Sequence, residues 1–201
     1  MPKTPEARII LASTSPRRKE LLANFSLPFA QMDSCFDESL VSFQGDPEIY
    51  ATTLALKKGL CLQKKILDQD AIIISADTVV FFDNTIFNKP KDLEEALSML
   101  RRLNGNTHKV ISGISVIQGE HTVTTAEQTL ITFNNVSDKT LQKYVATQSV
   151  LDKCGAYSIR HCGNLLVKEI QGSYPNVLGL PIAALQEVLL NFGIDLWDFA
   201  I

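Results

Sequence analysis

No stretch of the 201-residue sequence approaches the run of apolar residues that a membrane span needs, and residues 1–6 carry no apolar leader. Both absences point to a cytoplasmic protein. Basic charge is not in excess either, since 19 Lys and Arg stand against 22 Asp and Glu for a formal net charge of -3. A chain without a global positive field is poorly suited to hold a nucleic-acid backbone, whereas a small anion needs only a local basic pocket. The four cysteines, Cys35, Cys61, Cys154 and Cys162, include no CxxC pair and have no secretory context, so they read as reduced thiols. Cys154, His161 and Cys162 lie close together, but their spacing fits no usual zinc pattern and a fourth ligand is missing. Absent too are the GxxxxGK[ST] phosphate loop, the GxGxxG dinucleotide fingerprint and the GxSxG nucleophile elbow. That argues against kinase-like NTPases, Rossmann oxidoreductases and the common serine hydrolases.

What the chain does have is enough apolar residue, 45%, to bury a core over residues 1–201 as one domain. Residues 9–22 change abruptly from an apolar run to a helix-like pattern, which predicts strand, turn and helix. Ser15 suits the N-cap and Pro16 the first helical position, so the corner should leave backbone N–H groups open beside Ser13, Arg17 and Arg18. Residues 29–32 read as a short strand, 33–45 as a loop containing Asp37 and Glu38, and Asp46-Pro47 as the cap of a helix to about residue 66. Lys57 and Lys58 fall beside the apolar stripe of that helix, where a lysine ordinarily snorkels to water.

Residues 71–76 form the most strand-like segment, continuous and rich in isoleucine, and Asp77-Thr78 is expected to end it. A hairpin over 79–87 follows, turning at Asp83-Asn84, and Lys89 stands at the next strand-to-helix junction. Asp92 and Glu95 predict a capped helix through Leu103, stopped at Asn104-Gly105. Two longer strands are predicted over 107–117 and 123–133, then a helix capped by Ser137, an apolar strand over 164–167, a loop over 172–176, and a last helix opened by Pro181. His108 reads as a structural residue.

The polar residues at element ends form a set: Ser13, Arg17, Arg18, Glu38, Lys58, Asp77 and Lys89. A carboxylate between apolar strands is costly unless it meets a cation, a metal ion or hydrogen-bond donors. Two acids without His or Cys partners suit a hard ion such as Mg²⁺ or Mn²⁺, and several cations suit a polyphosphate. The combination predicts hydrolysis or transfer at phosphorus.

In order and spacing, Leu11-Ala12-Ser13-Thr14-Ser15-Pro16-Arg17-Arg18, Asp37-Glu38-Ser39, Leu54-Ala55 with Lys58, Ala76-Asp77-Thr78-Val79-Val80, Lys89-Pro90-Lys91, Gly155-Ala156-Tyr157 and Gly172-Ser173-Tyr174 resemble the Maf family. The resemblance covers nearly the whole chain. It implies an α/β fold in which a mixed central sheet with flanking helices forms two lobes around a deep cleft, often as a homodimer. It also implies a metal-dependent pyrophosphatase that converts a nucleoside triphosphate such as dTTP or UTP to monophosphate and pyrophosphate, and a link to arrest of septum formation. Alternatives within that resemblance are action on 7-methyl-GTP, or a non-catalytic nucleotide-binding regulator. Carried over residue by residue, Ser13, Arg17, Arg18 and Thr78 would bind the triphosphate and Lys58 and Lys89 would neutralise it. Glu38 and Asp77 would serve the metal and the water, with Asp77 as general base. Arg160 stands where the dTTP/UTP branch commonly has glutamine, so it is the expected point at which base recognition differs, because arginine only donates hydrogen bonds.

Overall fold

The computed structural model describes residues 7–68 and 70–201, and the leader reading on residues 1–6 lies outside them. Strand β1 (Ile9–Ala12) lies between two parallel neighbours, β2 (Phe29–Met32) and β3 (Ile72–Phe82). Helix α1 (Pro16–Leu22) connects β1 to β2, and α2 (Pro47–Gln63) connects β2 to β3. The first connection carries the chain from β1 out to β2 and the second carries it from β2 back across β1 to β3, with α1 and α2 packed on opposite faces, and the carboxyl ends of such strands are where α/β sheets bind ligands. The Ser13–Arg18 corner occupies that place.

The sheet continues antiparallel through β5 (Thr107–Gln118), β6 (His121–Phe133) and β7 (Val167–Gln171), giving the order β2-β1-β3-β5-β6-β7, with β4 (Thr85–Phe87) paired to β3 alone. The mixed sheet and its flanking helices match the expected architecture. On one face, Ile9, Leu11, Ile72, Ile74 and Ala76 pack with Leu22 of α1 and Leu100 of α3 (Leu93–Leu103). Leu141 of α4 (Asp138–Thr147) and Leu185 of α6 (Ile182–Leu190) join the same cluster. On the other face α2 lies almost alone, with Leu62 against Ile10, Ile73 and Ile117, and Leu54 against Val79 and Ile111. Each such buried aliphatic side chain contributes about 1.5–3 kcal/mol relative to exposure. The odd and even residues of β3 therefore serve different layers, and Asp77 and Thr78 point to opposite faces.

Three segments differ from the sequence reading. Asp77 does not end a strand: β3 runs unbroken to Phe82, because its backbone pairs with β5 from Ile73 to Phe81 and the ladder does not depend on side-chain polarity. The strand expected over 164–167 is a 3₁₀ turn, His161–Leu165, and pairing begins only at Val167, opposite Phe133. As an edge strand with Lys168 and Glu169 exposed, β7 has no apolar run to announce it. Residues 172–176 are not all loop, since Ser173 accepts a hydrogen bond from Asn176 N and caps α5 (Tyr174–Leu178). Elsewhere the caps fall as expected, including Ser15, Asp46, Asp92 and Ser137. Glu95, however, accepts from Lys91 N rather than closing back on its own cap residue.

Candidate active site

A cavity of about 810 Å³ opens at the carboxyl end of β1. That lies within the roughly 300–1,000 Å³ usual for ligand sites. Ser13, Arg17, Arg18, Glu38, Lys58, Asp77, Thr78 and Lys89 all line it, although they come from five separate segments of the chain. Arg160 does not line the cavity. Its guanidinium instead donates to Glu20 Oε2 at 2.8 Å, and the neighbouring Tyr157, Ser158 and Ile159 form the wall in its place.

Lys58 sits at the centre of the polar groups. Its Nζ donates to Asp77 Oδ1 and lies 2.7 Å from Glu38 Oε1, so both carboxylates converge on one ammonium. The expectation that this lysine snorkels to water fails for Lys58, which is 7% exposed, and holds for Lys57. Close helix packing explains the difference. Gly113 lies opposite Asp77 in the β3–β5 register, and a Cβ there would come within 2.4 Å of the Ala51 carbonyl carbon. Only glycine lets α2 settle this closely on the sheet, and at that height Lys58 reaches Asp77 without meeting solvent.

The two acids respond differently to this environment. Burial pushes the Asp77 carboxyl above its usual range, opposed by Lys58 and Arg18 and reinforced by Glu38. Burial also pushes Glu38 upward, but Lys58, Lys89 and Arg18 outweigh it and hold that carboxyl low. Glu38 keeps nearly half of its side chain in water, on the 3₁₀ turn Glu38–Leu40, so its desolvation is smaller in effect. One acid is thus suited to take a proton and the other to stay ionised.

The basic corner is more occupied than its sequence suggests. Arg18 Nε donates to the Gly179 carbonyl at 2.8 Å, and its two terminal nitrogens donate to Ser13 Oγ and to Thr78 Oγ1 at 3.4 and 3.1 Å. Ser15 N donates to Ser13 Oγ and Arg18 N to Ser15 Oγ, so two backbone donors expected to be open are satisfied internally. Gln31 of β2 braces the same corner by donating to the Ser13 carbonyl at 2.8 Å. Arg18 is therefore a fixed charge, and its burial pulls its pKa below the ordinary arginine value.

Sequence reasoning missed Tyr50, Asn88 and Lys153, all of which line the cavity. Tyr50 was legible only as part of an apolar helical stripe, and Lys153 only as one more charged residue. Cys154 also lies on the wall, where its thiol donates to the Thr78 carbonyl and burial raises its pKa to about 11. It is a packed thiol, not a nucleophile. His161 and Cys162 are exposed and do not line the cavity, and among the described residues no three His, Cys, Asp or Glu side chains gather as a metal cage. Glu38 and Asp77 nevertheless fit a hard cation. They are two carboxylates held side by side by Lys58, hard oxygen donors in the number that Mg²⁺ commonly takes from a protein when phosphate oxygens and water complete its shell.

The family model for Maf-like proteins matches residues 8–192. A dTTP/UTP pyrophosphatase of Chlamydia caviae is 41% identical over 98% of this chain and the whole of that protein. A nucleoside triphosphate pyrophosphatase of Chlamydia pneumoniae is 39% identical over 96% of this chain and 98% of its own. Among solved structures, the Staphylococcus aureus Ham1 protein superposes with a TM-score of 0.51 at 17% identity, over 92% of this chain and 99% of that one. That likeness concerns the fold.

Proposed function

The chain belongs to the Maf family, and from that premise we propose that it is a nucleoside triphosphate pyrophosphatase acting on dTTP and UTP. The observation that carries this reading is the convergence of Glu38 and Asp77 on Lys58 inside a cavity that also holds Arg17, Arg18 and Lys89. A nucleotide-binding protein without chemistry needs the cations but not a desolvated acid beside them.

In the proposed reaction a water attacks the α-phosphorus, its proton passes to an Asp77 carboxylate oxygen, and the α–β phosphoanhydride bond breaks. The electron pair leaves with pyrophosphate, and the nucleoside monophosphate remains. Burial makes Asp77 a stronger base than an exposed aspartate, and the Lys58 ammonium keeps it ionised until the proton arrives. Arg17 and Lys89 would neutralise the charge that grows on the leaving pyrophosphate, while Arg18, held by Ser13 and Thr78, would offer a positive charge that need not reorganise. Glu38 and Asp77 would hold Mg²⁺ or Mn²⁺, which would supply further neutralisation of the phosphates when bound. The family resemblance adds a homodimer acting on the cytoplasmic nucleotide pool.

Asp77→Asn keeps the shape of the site and removes the base. It should lower pyrophosphate release from dTTP and UTP by about 10²–10⁴-fold, the range that general-base catalysis supplies, with nucleotide binding retained. Full turnover by this variant, assayed with Mg²⁺ and with Mn²⁺, would remove Asp77 from the mechanism.

A further inference from the structure

Lys153 is a cation on the cavity wall that the reaction as described does not use. Its side chain is only 14% exposed, yet both of its bonds are local, one to the Ser149 carbonyl and one to Asp152 Oδ1 at 2.6 Å. The backbone that carries it is fastened to the reaction site from two sides. Cys154 Sγ donates to the carbonyl of Thr78, the residue after Asp77, at 3.2 Å. Gly155 N donates to the carbonyl of Asn88, the residue before Lys89, also at 3.2 Å. Lys153 therefore starts from a segment held between the general base and another phosphate-neutralising lysine, on a flexible stem whose donors can rotate.

Its partner Asp152 is 59% exposed and lines the same cavity, so in the free protein it places negative charge where a polyanion would enter. An ion pair with one member this exposed holds little free energy and is readily exchanged for a stronger one. A phosphate offers more charge and more acceptor oxygens than one carboxylate. Resting on the reading of this cavity as a triphosphate site, we propose that Lys153 is a further substrate-binding residue, parked on Asp152 in the free protein and transferred to the triphosphate when it binds.

The pair allows a test with opposite signs. Binding of inorganic triphosphate to the full chain, followed by calorimetry, should weaken about tenfold in Lys153→Met, the loss expected for one charge-assisted hydrogen bond. Lys153→Arg should stay near the original affinity. Asp152→Asn should bind several-fold more tightly, because the lysine is released and a repelling charge is gone. If Lys153→Met and Asp152→Asn leave the affinity unchanged, or shift it in the same direction, the pair is structural and the proposal is overturned. Should Lys153→Met fail to fold, the direction of the Asp152→Asn shift decides. An original chain that binds no inorganic triphosphate defeats the reading of the cavity itself, a result distinct from tight binding with flat variants.

Discussion

Strands β3 and β5 carry buried polar clusters on both faces of the sheet, and the two faces treat polarity in opposite ways. On the α2 face Asp77 meets Lys58 and Glu38, three ionisable groups beside an open cavity. On the other face the groups are neutral and largely closed off: Thr78 Oγ1 bonds Ser112 Oγ, Ser112 Oγ donates to the Asn176 carbonyl, and His108 Nε2 lies 2.7 Å from the Tyr157 hydroxyl. His108 also stands edge-on to Phe133 and Tyr157, and burial lowers its pKa to about 3. The neutral cluster locks β5 to α5 and to the segment before β7, and so fixes the Gly179 carbonyl that holds Arg18. The charged cluster fixes little and is held in a state that a proton, a phosphate or a cation would change. Rigidity is built on one face from neutral dipoles that tie segments together, although His108 Nδ1 and Asn176 Oδ1 are buried there without a partner among the described residues, and reactivity on the other from charges that an incoming ligand can re-pair.

Three experiments press on that contrast. Lys58→Met strikes the charged face, leaving Asp77 beside Glu38 with their common countercharge gone. Loss of a positive neighbour raises a carboxyl pKa, so Asp77 should demand a higher pH to act, and kcat at neutral pH should fall by about 10²-fold or more. A pH–rate profile whose acid limb moves to higher pH supports this; an unmoved limb would separate Lys58 from the base.

The neutral face should answer in stability rather than rate. Unfolded His108 takes a proton near its ordinary value of 6.5, but the folded chain takes it only near 3. Between these values the unfolded state binds more protons, so this group's contribution to stability is present above pH 6.5 and is lost as pH falls, by about 1.4 kcal/mol per unit. Urea unfolding from pH 7 to 4 should show that slope, and His108→Gln should remove it. A slope that survives the substitution belongs to other groups.

The smallest effect is expected at Arg160, which belongs to neither cluster. Its pair with Glu20 is partly exposed, and pairs of that kind contribute at most about 1 kcal/mol and often nothing measurable. Arg160→Ala should leave the ranking of dTTP against UTP unchanged in kcat/KM. A changed ranking would return this residue to base recognition and weaken the case that residues 157–159 form that wall.

Arg160 also marks the limit of what spacing can reveal. Its place in the motif was legible, but the direction of its side chain was not, because Glu20 lies 140 residues away and nothing local couples them. Lys58 shows the same limit from the other side, since its neighbours on α2 predict an outward-facing amine and only the sheet beneath it reverses that expectation. The 3₁₀ turn before β7 and the short helix α5 escaped because their polar residues follow no period.

Sequence by itself determined the apolar periods, the N-caps at Ser15, Asp46, Asp92 and Ser137, the buried isoleucine strand, and the order of the charged motifs. These depend on contacts within a few residues, where chain connectivity already sets the geometry. Tertiary structure alone decided that Asp77 lies inside a strand, that Gly113 lets α2 descend onto it, and that Lys58 points inward to hold two acids. Those outcomes depend on distances between segments brought together by sheet register and helix packing, and buried charge is stabilised only where such a partner arrives.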